Sequence, residues 1–368
     1  MIIYVFFTKG AAVMCKNEIK KEIDEISLAI RVRDAFATPA PITYIPTDPT
    51  QLIIDEKKRR MISYFAGYDA AELSDYELFY ELVSNLDAMS GCAEKELFIE
   101  EIKSLYGDGA LDDIQNPMEL WRRLCDKMSQ EKCNFNKKIA EISNYSKLNN
   151  ISIFANIDNF SKYSDFVSDR VKDIETSDAE YVVADISVLN FARTDDFHAA
   201  LAYEKYRAGD GEARDEALSG ALYPILSAIK AMGKTLLINI GNNFTAAERM
   251  IEYFKARDLL PDIVIFARDV ARISAERLCG VYKGARGEYS ILSGAILYDG
   301  DTVRDIKKRV LDIAAVYPIG KLFIGGAVTD SPLLSARHAI LKRGVAEAIY
   351  ELSENREERI RAAELMSK

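Results

Sequence analysis

The chain has 368 residues, 49% of them apolar, with 58 acidic against 48 basic side chains and a formal charge of −10. That is ample material for a large core, and the absence of a basic stripe interleaved with aromatics argues against a nucleic-acid partner. The apolar start, residues 1–7, is too short to span a bilayer and lacks the basic flank of a signal peptide, so a membrane role is not expected. The five cysteines (Cys15, Cys92, Cys125, Cys133 and Cys279) are odd in number and form no C-x-x-C pair. They read as reduced thiols of a cytoplasmic protein. The length fits two to three domains, or one barrel carrying an insertion.

Residues 1–27 read as an N-terminal tail and helix. The first strand candidate is 28–35, with weaker ones at 42–45 and 52–54. From 55 to 149 the pattern changes to helix after helix. Ser74-Asp75-Tyr76-Glu77 is a capping box opening a helix over 76–88. Helices over 94–106 and 118–145 follow, the last holding the only tryptophan, Trp121. Beyond this block come apolar runs at 151–157, 181–189, 235–240, 262–266, 289–297 and 322–328, many of them rich in Val and Ile without strict alternation, which suits strands buried on both faces. Amphipathic helices are expected between and after them, at 215–232, 246–256, 270–281, 301–316 and 332–353. The alternation predicts repeated βα units and a parallel sheet. The expected fold is a (β/α)8 TIM-type barrel formed by 28–54 and 150–353, with an all-helical insertion subdomain at 55–149. Residues 354–368 form a C-terminal helix or tail.

The richest stretch is Val328 to His338. An apolar run ends in Thr329-Asp330-Ser331, and a helix begins at once, with Ser331 as N-cap and Pro332 at the first helical position. Asp330 is therefore expected at the C-terminal end of a buried strand, the face of a parallel barrel where chemistry takes place. A carboxylate there can bind a metal or move a proton. The chain has only two histidines, His198 and His338, fewer than a zinc-dependent barrel hydrolase or isomerase ordinarily uses.

Three segments together resemble the uronate isomerase family of amidohydrolase-type barrels. Thr329-Asp330-Ser331 followed by Leu334-Ser335-Ala336-Arg337-His338 is similar to the family's Thr-Asp-Ser-Arg and Leu-Ser-x-x-Arg-His. The helical block from Ser74 through Leu78-Phe79 and Leu105-Tyr106-Gly107 to Leu120-Trp121 resembles the family's helical segment. Thr235 to Gly241 stands where the family has Gln-Leu-His-Ile-Gly. The resemblance, loosely continued between these segments, covers about residues 28 to 353. It implies a barrel, a carbohydrate-metabolism role and aldose–ketose isomerisation of glucuronate or galacturonate.

The family's working residues do not carry over intact. Its Asp-x-His-x-His corresponds to Asp34-Ala35-Phe36-Ala37-Thr38, so Phe36 and Thr38 stand where two metal-binding histidines would be. Asn239 replaces the later histidine, Pro332 replaces the substrate-facing arginine, and Ser293-Gly294-Ala295-Ile296 lacks the family's paired tryptophans. A phenyl ring cannot ligate zinc, and one carboxylate plus amides is a poor transition-metal site. The expectation is a divergent uronate-isomerase-like protein with no metal or other cofactor and no zinc-dependent isomerase activity, acting as a sugar-acid-binding protein or partner subunit. The alternative is an active uronate isomerase. A metal-free lyase would want a lysine at a strand end, and none is evident in the candidate strands.

Within that reading Asp330 is the catalytic candidate, set against a helix-capping role. Asn239, Asn242, Asn243, Arg268 and Ser293 are candidates for holding a small sugar acid, Arg268 as its carboxylate clamp. The blander readings are turn formation for the asparagines and a helix-start ion pair for Arg268. Asp34, Phe36, Thr38, Asn239, Arg268, Ser293 and Asp330 are expected to converge at the C-terminal end of the barrel. Arg193, Asp195, Asp196 and His198 form a mixed cluster better read as a solvated helix start, and His338 reads as structural. Homo-oligomerisation is compatible with the sequence.

Overall fold

The computed structural model describes residues 9–32, 48–130, 150–154, 157–267, 301–315, 322, 324 and 334–366. Among these residues the sheet contains β1 (Asn150–Ser152), β2 (Tyr181–Asp185), β3 (Thr235–Gly241) and β4 (Asp262–Ala267), all parallel and adjacent in chain order. The crossovers are α7 (Tyr163–Thr176), α8 and α9 (Asp196–Arg207 and Ala213–Ala231) and α10 (Phe244–Lys255). These four described strands, parallel neighbours in sequential order, wind in one direction with no switch point among them.

Both faces of this sheet are buried, which explains the near-continuous apolar strands. Val182, Ala184, Leu236, Ile238, Ile263 and Ile265 join one core with the helices. Val183, Leu237, Val264 and Phe266, one residue out of phase, are buried on the opposite face outside that core. Asp185 and Asn239 share the phase of this second set and are paired across β2 and β3, with Phe266 next in register on β4.

The N-terminal part is helical: α1 (Lys9–Ala29), α2 (Thr50–Ile53), α3 (Glu56–Ala66), α4 (Asp75–Ser84), α5 (Ala93–Tyr106) and α6 (Pro117–Gln130). Asp55 caps α3 by accepting from Lys58 N, and Ser74 with Glu77 forms the expected capping box on α4. Phe79 joins α4 to its neighbours, its ring 6.1 Å from Phe98 on α5 and 5.2 Å from Trp121 on α6. Further along, α11 (Val303–Ala314) and α12 (Leu334–Leu352) pack together, and α12 also packs on α1 and α5. The last helix, α13 (Arg356–Met366), returns to α1 through Arg359–Glu22 at 2.7 Å and Arg356–Glu25 at 2.5 Å.

The structure corrects several expected boundaries. Residues 28 and 29 end α1 and do not begin a strand, because the helix keeps burying Ile26 before Ile30 and Val32 follow into the core. The weak strand candidate at 52–54 is the short helix Thr50–Ile53 with its C-cap Ile54; Asp48 accepts from Thr50 N and starts the turn. The strand expected over 181–189 stops at Asp185, where Ser187 N turns back to the Asp185 carboxylate. Helices α7 and α8 were not anticipated. The expected elements at 270–281 and 289–297 lie outside the described residues. Of the 322–328 run, Leu322 and Ile324 are described, and both are in the core.

Candidate functional site

The C-terminal ends of β2 and β3 carry a small polar cluster centred on Asp185. One carboxylate oxygen accepts from Ser187 N at 2.9 Å and from Ser187 Oγ at 2.6 Å. The other accepts from Asn239 Nδ2 at 3.1 Å. Asn239 Oδ1 in turn accepts from Gly241 N at 3.1 Å. The side-chain chain runs Ser187, Asp185, Asn239 and then to the backbone of Gly241. Asp185 is exposed, and Asn239 and Ser187 are half-buried, so the cluster opens to solvent above the apolar Val183, Leu237 and Val264.

The backbone is shaped to permit this. Gly241 has φ +52°, and a Cβ there would lie 2.9 Å from Ser187 Cβ. The position therefore needs both the left-handed conformation and the missing side chain. An irregularity in the β3–β4 register falls between Asn239 and Gly241 and sits beside the polar cluster.

Asn239 is thus at the strand end, as expected. Asn243 precedes α10 and gives its amide hydrogens to Ile186 O at 3.1 Å and Leu189 O at 2.7 Å. Those bonds tie down the loop after β2. Asn242 is exposed on the turn. Asp34, Phe36, Thr38, Arg268, Ser293 and Asp330 lie outside the described residues. His198 lies in the first turn of α8, where Asp195 accepts from both its backbone N and its Nδ1, and these bonds hold the Asp195 carboxyl below its ordinary range. This is the solvated helix start read from the sequence. His338 and Arg337 are buried in the first turns of α12.

Asp185 escaped the sequence reading. Its signal was of the same kind as that of Asp330: a carboxylate closing a Val- and Ala-rich run and followed by a turn residue, here Ala184-Asp185-Ile186-Ser187. The apolar residues Ile186 and Leu189 extended the apparent strand past it.

The donors present here are the Asp185 carboxylate, the Asn239 amide oxygen and the Ser187 hydroxyl. One carboxylate with an amide and a hydroxyl is a hard, weak set for zinc, and the described part of this site does not fit a transition metal. The arrangement suits neutral hydroxyl groups: Asp185 as acceptor, Ser187 Oγ and the second Asn239 amide hydrogen as partners within one patch.

No family model matches the chain, and no curated protein matches it. Solved structures do. A uronate isomerase from Thermotoga maritima superposes with a TM-score of 0.69 at 10% identity, over 94% of this chain and 95% of that one. A glucuronate isomerase from Caulobacter crescentus gives 0.58 at 10% identity, over 95% and 91%. A proposed metal-dependent hydrolase from Lactobacillus casei gives 0.53 at 8% identity, over 92% and 93%. Each likeness extends over nearly the whole of both chains, and the chain has the fold of the uronate isomerases.

Proposed function

We propose that this protein is a divergent uronate-isomerase-like (β/α)8 barrel whose mouth holds a small sugar acid without zinc-dependent isomerisation. The observation that carries the reading is Asn239. It stands on β3 where the resemblance puts a histidine, and its amide is engaged with Asp185 and Gly241. The barrel itself is supported by four sequential parallel strands, by burial of both sheet faces, and by the whole-chain likeness to uronate isomerases.

In this reading Asp185, Ser187 and Asn239 receive hydroxyl groups of the ligand. Arg268 is the candidate for holding the acid end of the sugar. Asp330 is the remaining candidate for a proton-moving group. A cytoplasmic location belongs to the same proposal; no described helix is long and apolar enough to cross a membrane. Self-association is a further part of it, in keeping with Val188 and Phe197, exposed by 81% and 74% in the segment after β2.

Isothermal calorimetry with glucuronate and galacturonate tests the binding. Saturable heat is expected, weakened at least fivefold in Asn239→Leu and abolished in Arg268→Ala. Heat equal in all three proteins, or none in the native chain, overturns the assignment.

A further inference from the structure

The outer sides of α4 and α6 carry a linked set of aromatic rings. Tyr76 and Tyr80 stand one turn apart on α4 and leave the helix on the same side, with ring centroids 6.1 Å apart. Trp121 of α6 meets the Tyr76 ring edge-on at 5.6 Å. Met118 lies one turn before Trp121 and is 63% exposed. Tyr76 and Tyr80 are 36% and 43% exposed, and Trp121 is half-buried. The inward residues of the same helices, Phe79, Leu120 and Leu124, are fully buried. The core thus uses one side of each helix, and the three outer rings exceed what internal packing requires.

The charge around these rings has one sign. From Met61 to Ala93 the chain holds six acidic residues and no lysine, arginine or histidine. Glu77 and Glu81 each follow one of the tyrosines on α4. Their described partners are neutral: Glu77 accepts from Ser74, and Glu81 accepts from Asn85 Nδ2. Within this segment, among the described residues, Asp87 alone meets a cation, Lys95 at 3.8 Å. The two arginines that follow Trp121 are engaged elsewhere. Arg122 pairs with Glu119 at 2.5 Å and Asp126 at 3.3 Å, and Arg123 pairs with Asp113 at 2.7 Å.

The face of an aromatic ring attracts a cation, and a guanidinium group stacks on it while its N–H groups reach nearby carboxylates. We propose that the Tyr76, Tyr80 and Trp121 surface is a docking site for an arginine-bearing segment of a partner protein. Guanidinium groups lie on the exposed rings, Met118 receives the aliphatic part of the segment, and Glu77 and Glu81 supply the opposite charge. The one-signed field disfavours an acidic segment. A second copy of this chain is also a poor fit, because a two-fold contact through this face would set carboxylates against carboxylates. The site is separate from the sheet-end cluster and does not depend on the sugar-acid reading.

The chain has a single tryptophan, and it belongs to this surface, so its emission reports docking here and nowhere else. The full chain is titrated with an arginine octapeptide. Trp121 emission reads the local event, and the anisotropy of a dye-labelled copy of the peptide reads total binding. Both should saturate with one midpoint, weaken as salt is added, and show no response to a glutamine octapeptide. Tyr76→Leu/Tyr80→Leu keeps apolar bulk but removes the rings, and should weaken binding by roughly fivefold to tenfold; Tyr76→Phe/Tyr80→Phe should bind within about twofold of the native chain. If the leucine variant fails to fold, the native chain and the phenylalanine variant still decide the matter. Peptide binding that leaves Trp121 emission unchanged overturns the proposal, as does undiminished binding by a folded leucine variant. An equal response to the glutamine peptide, or emission that changes with protein concentration alone, overturns it in favour of a neutral partner or a second copy.

Discussion

Two clusters of charge in this molecule are built in opposite ways. At the end of the sheet, Asp185 is exposed, and its partners Ser187 and Asn239 are short side chains that leave hydrogen-bonding capacity facing solvent. Among the helices, Lys58 and Glu101 are enclosed, and their partners come from separate elements. An open cluster can take up a ligand with little reorganisation, because water there is replaceable. A closed one is bound into the packing, and removing one member leaves another buried charge unpaired. Substitutions at the two places should therefore be read out differently, the first in binding and the second in stability.

The largest effect is expected where the closed cluster is broken from one side. Lys58→Ala leaves Glu101 and Asp55 without their shared cation and should destabilise by about 3–5 kcal/mol, measured by chemical unfolding. A loss below about 1 kcal/mol would mean that the acids find another partner. Phe98→Ala, which removes a fully buried ring beside Phe79, should cost a similar ~3–5 kcal/mol through the cavity it leaves. Comparing the two separates the ion cluster from ordinary packing, since only Lys58→Ala should change the pH dependence of unfolding.

A smaller effect belongs to the junction of α8 and α9. A Cβ at Gly220 would stand 2.2 Å from Ala199 Cβ, so Gly220→Ala should destabilise by about 1–3 kcal/mol through overpacking. At the open cluster, Gly241→Ala places a side chain at φ +52° and against Ser187 and should cost roughly 1–2 kcal/mol. On the proposed reading it should also weaken the binding of a sugar acid, read by calorimetry. The smallest expected change is Thr302→Ala at the capping box of α11, about 1 kcal/mol in thermal unfolding, with no effect at either cluster.

Much of this organisation was legible in the chain. Helices announced by an apolar period came out within a few residues: 94–106 against Ala93–Tyr106, 301–316 against Val303–Ala314. Strands β3 and β4 were readable from their apolar runs, Leu- and Ile-rich in β3 and Ile- and Val-rich in β4. Helix α8 was not, because its large apolar residues Phe197 and Leu201 face outward while Ala199 and Ala202 fill its inner face beside Tyr203. A pattern that buries small residues and exposes large ones inverts the usual signal. The buried cluster was hidden for a related reason. Glu94 and Glu101 fall on the same stripe as Leu97, Phe98, Ile102 and Leu105, and a charge on an apolar stripe is easily taken for a tolerated exception. Of the candidate site, Asn239 was identified by its place at a strand end. Its partner Asp185 lies more than fifty residues earlier, and only strand register brings the two side by side.

On the proposed reading this chain, with Asn239 where the resemblance puts a histidine, does not carry out zinc-dependent uronate isomerisation. The direct measurement is a coupled reductase assay for interconversion of glucuronate and fructuronate by the purified full chain, with zinc added and with chelator. Background turnover is expected in both conditions, unchanged by Asp330→Asn. Enzymatic turnover that requires zinc and is abolished by chelator and by Asp330→Asn would contradict it.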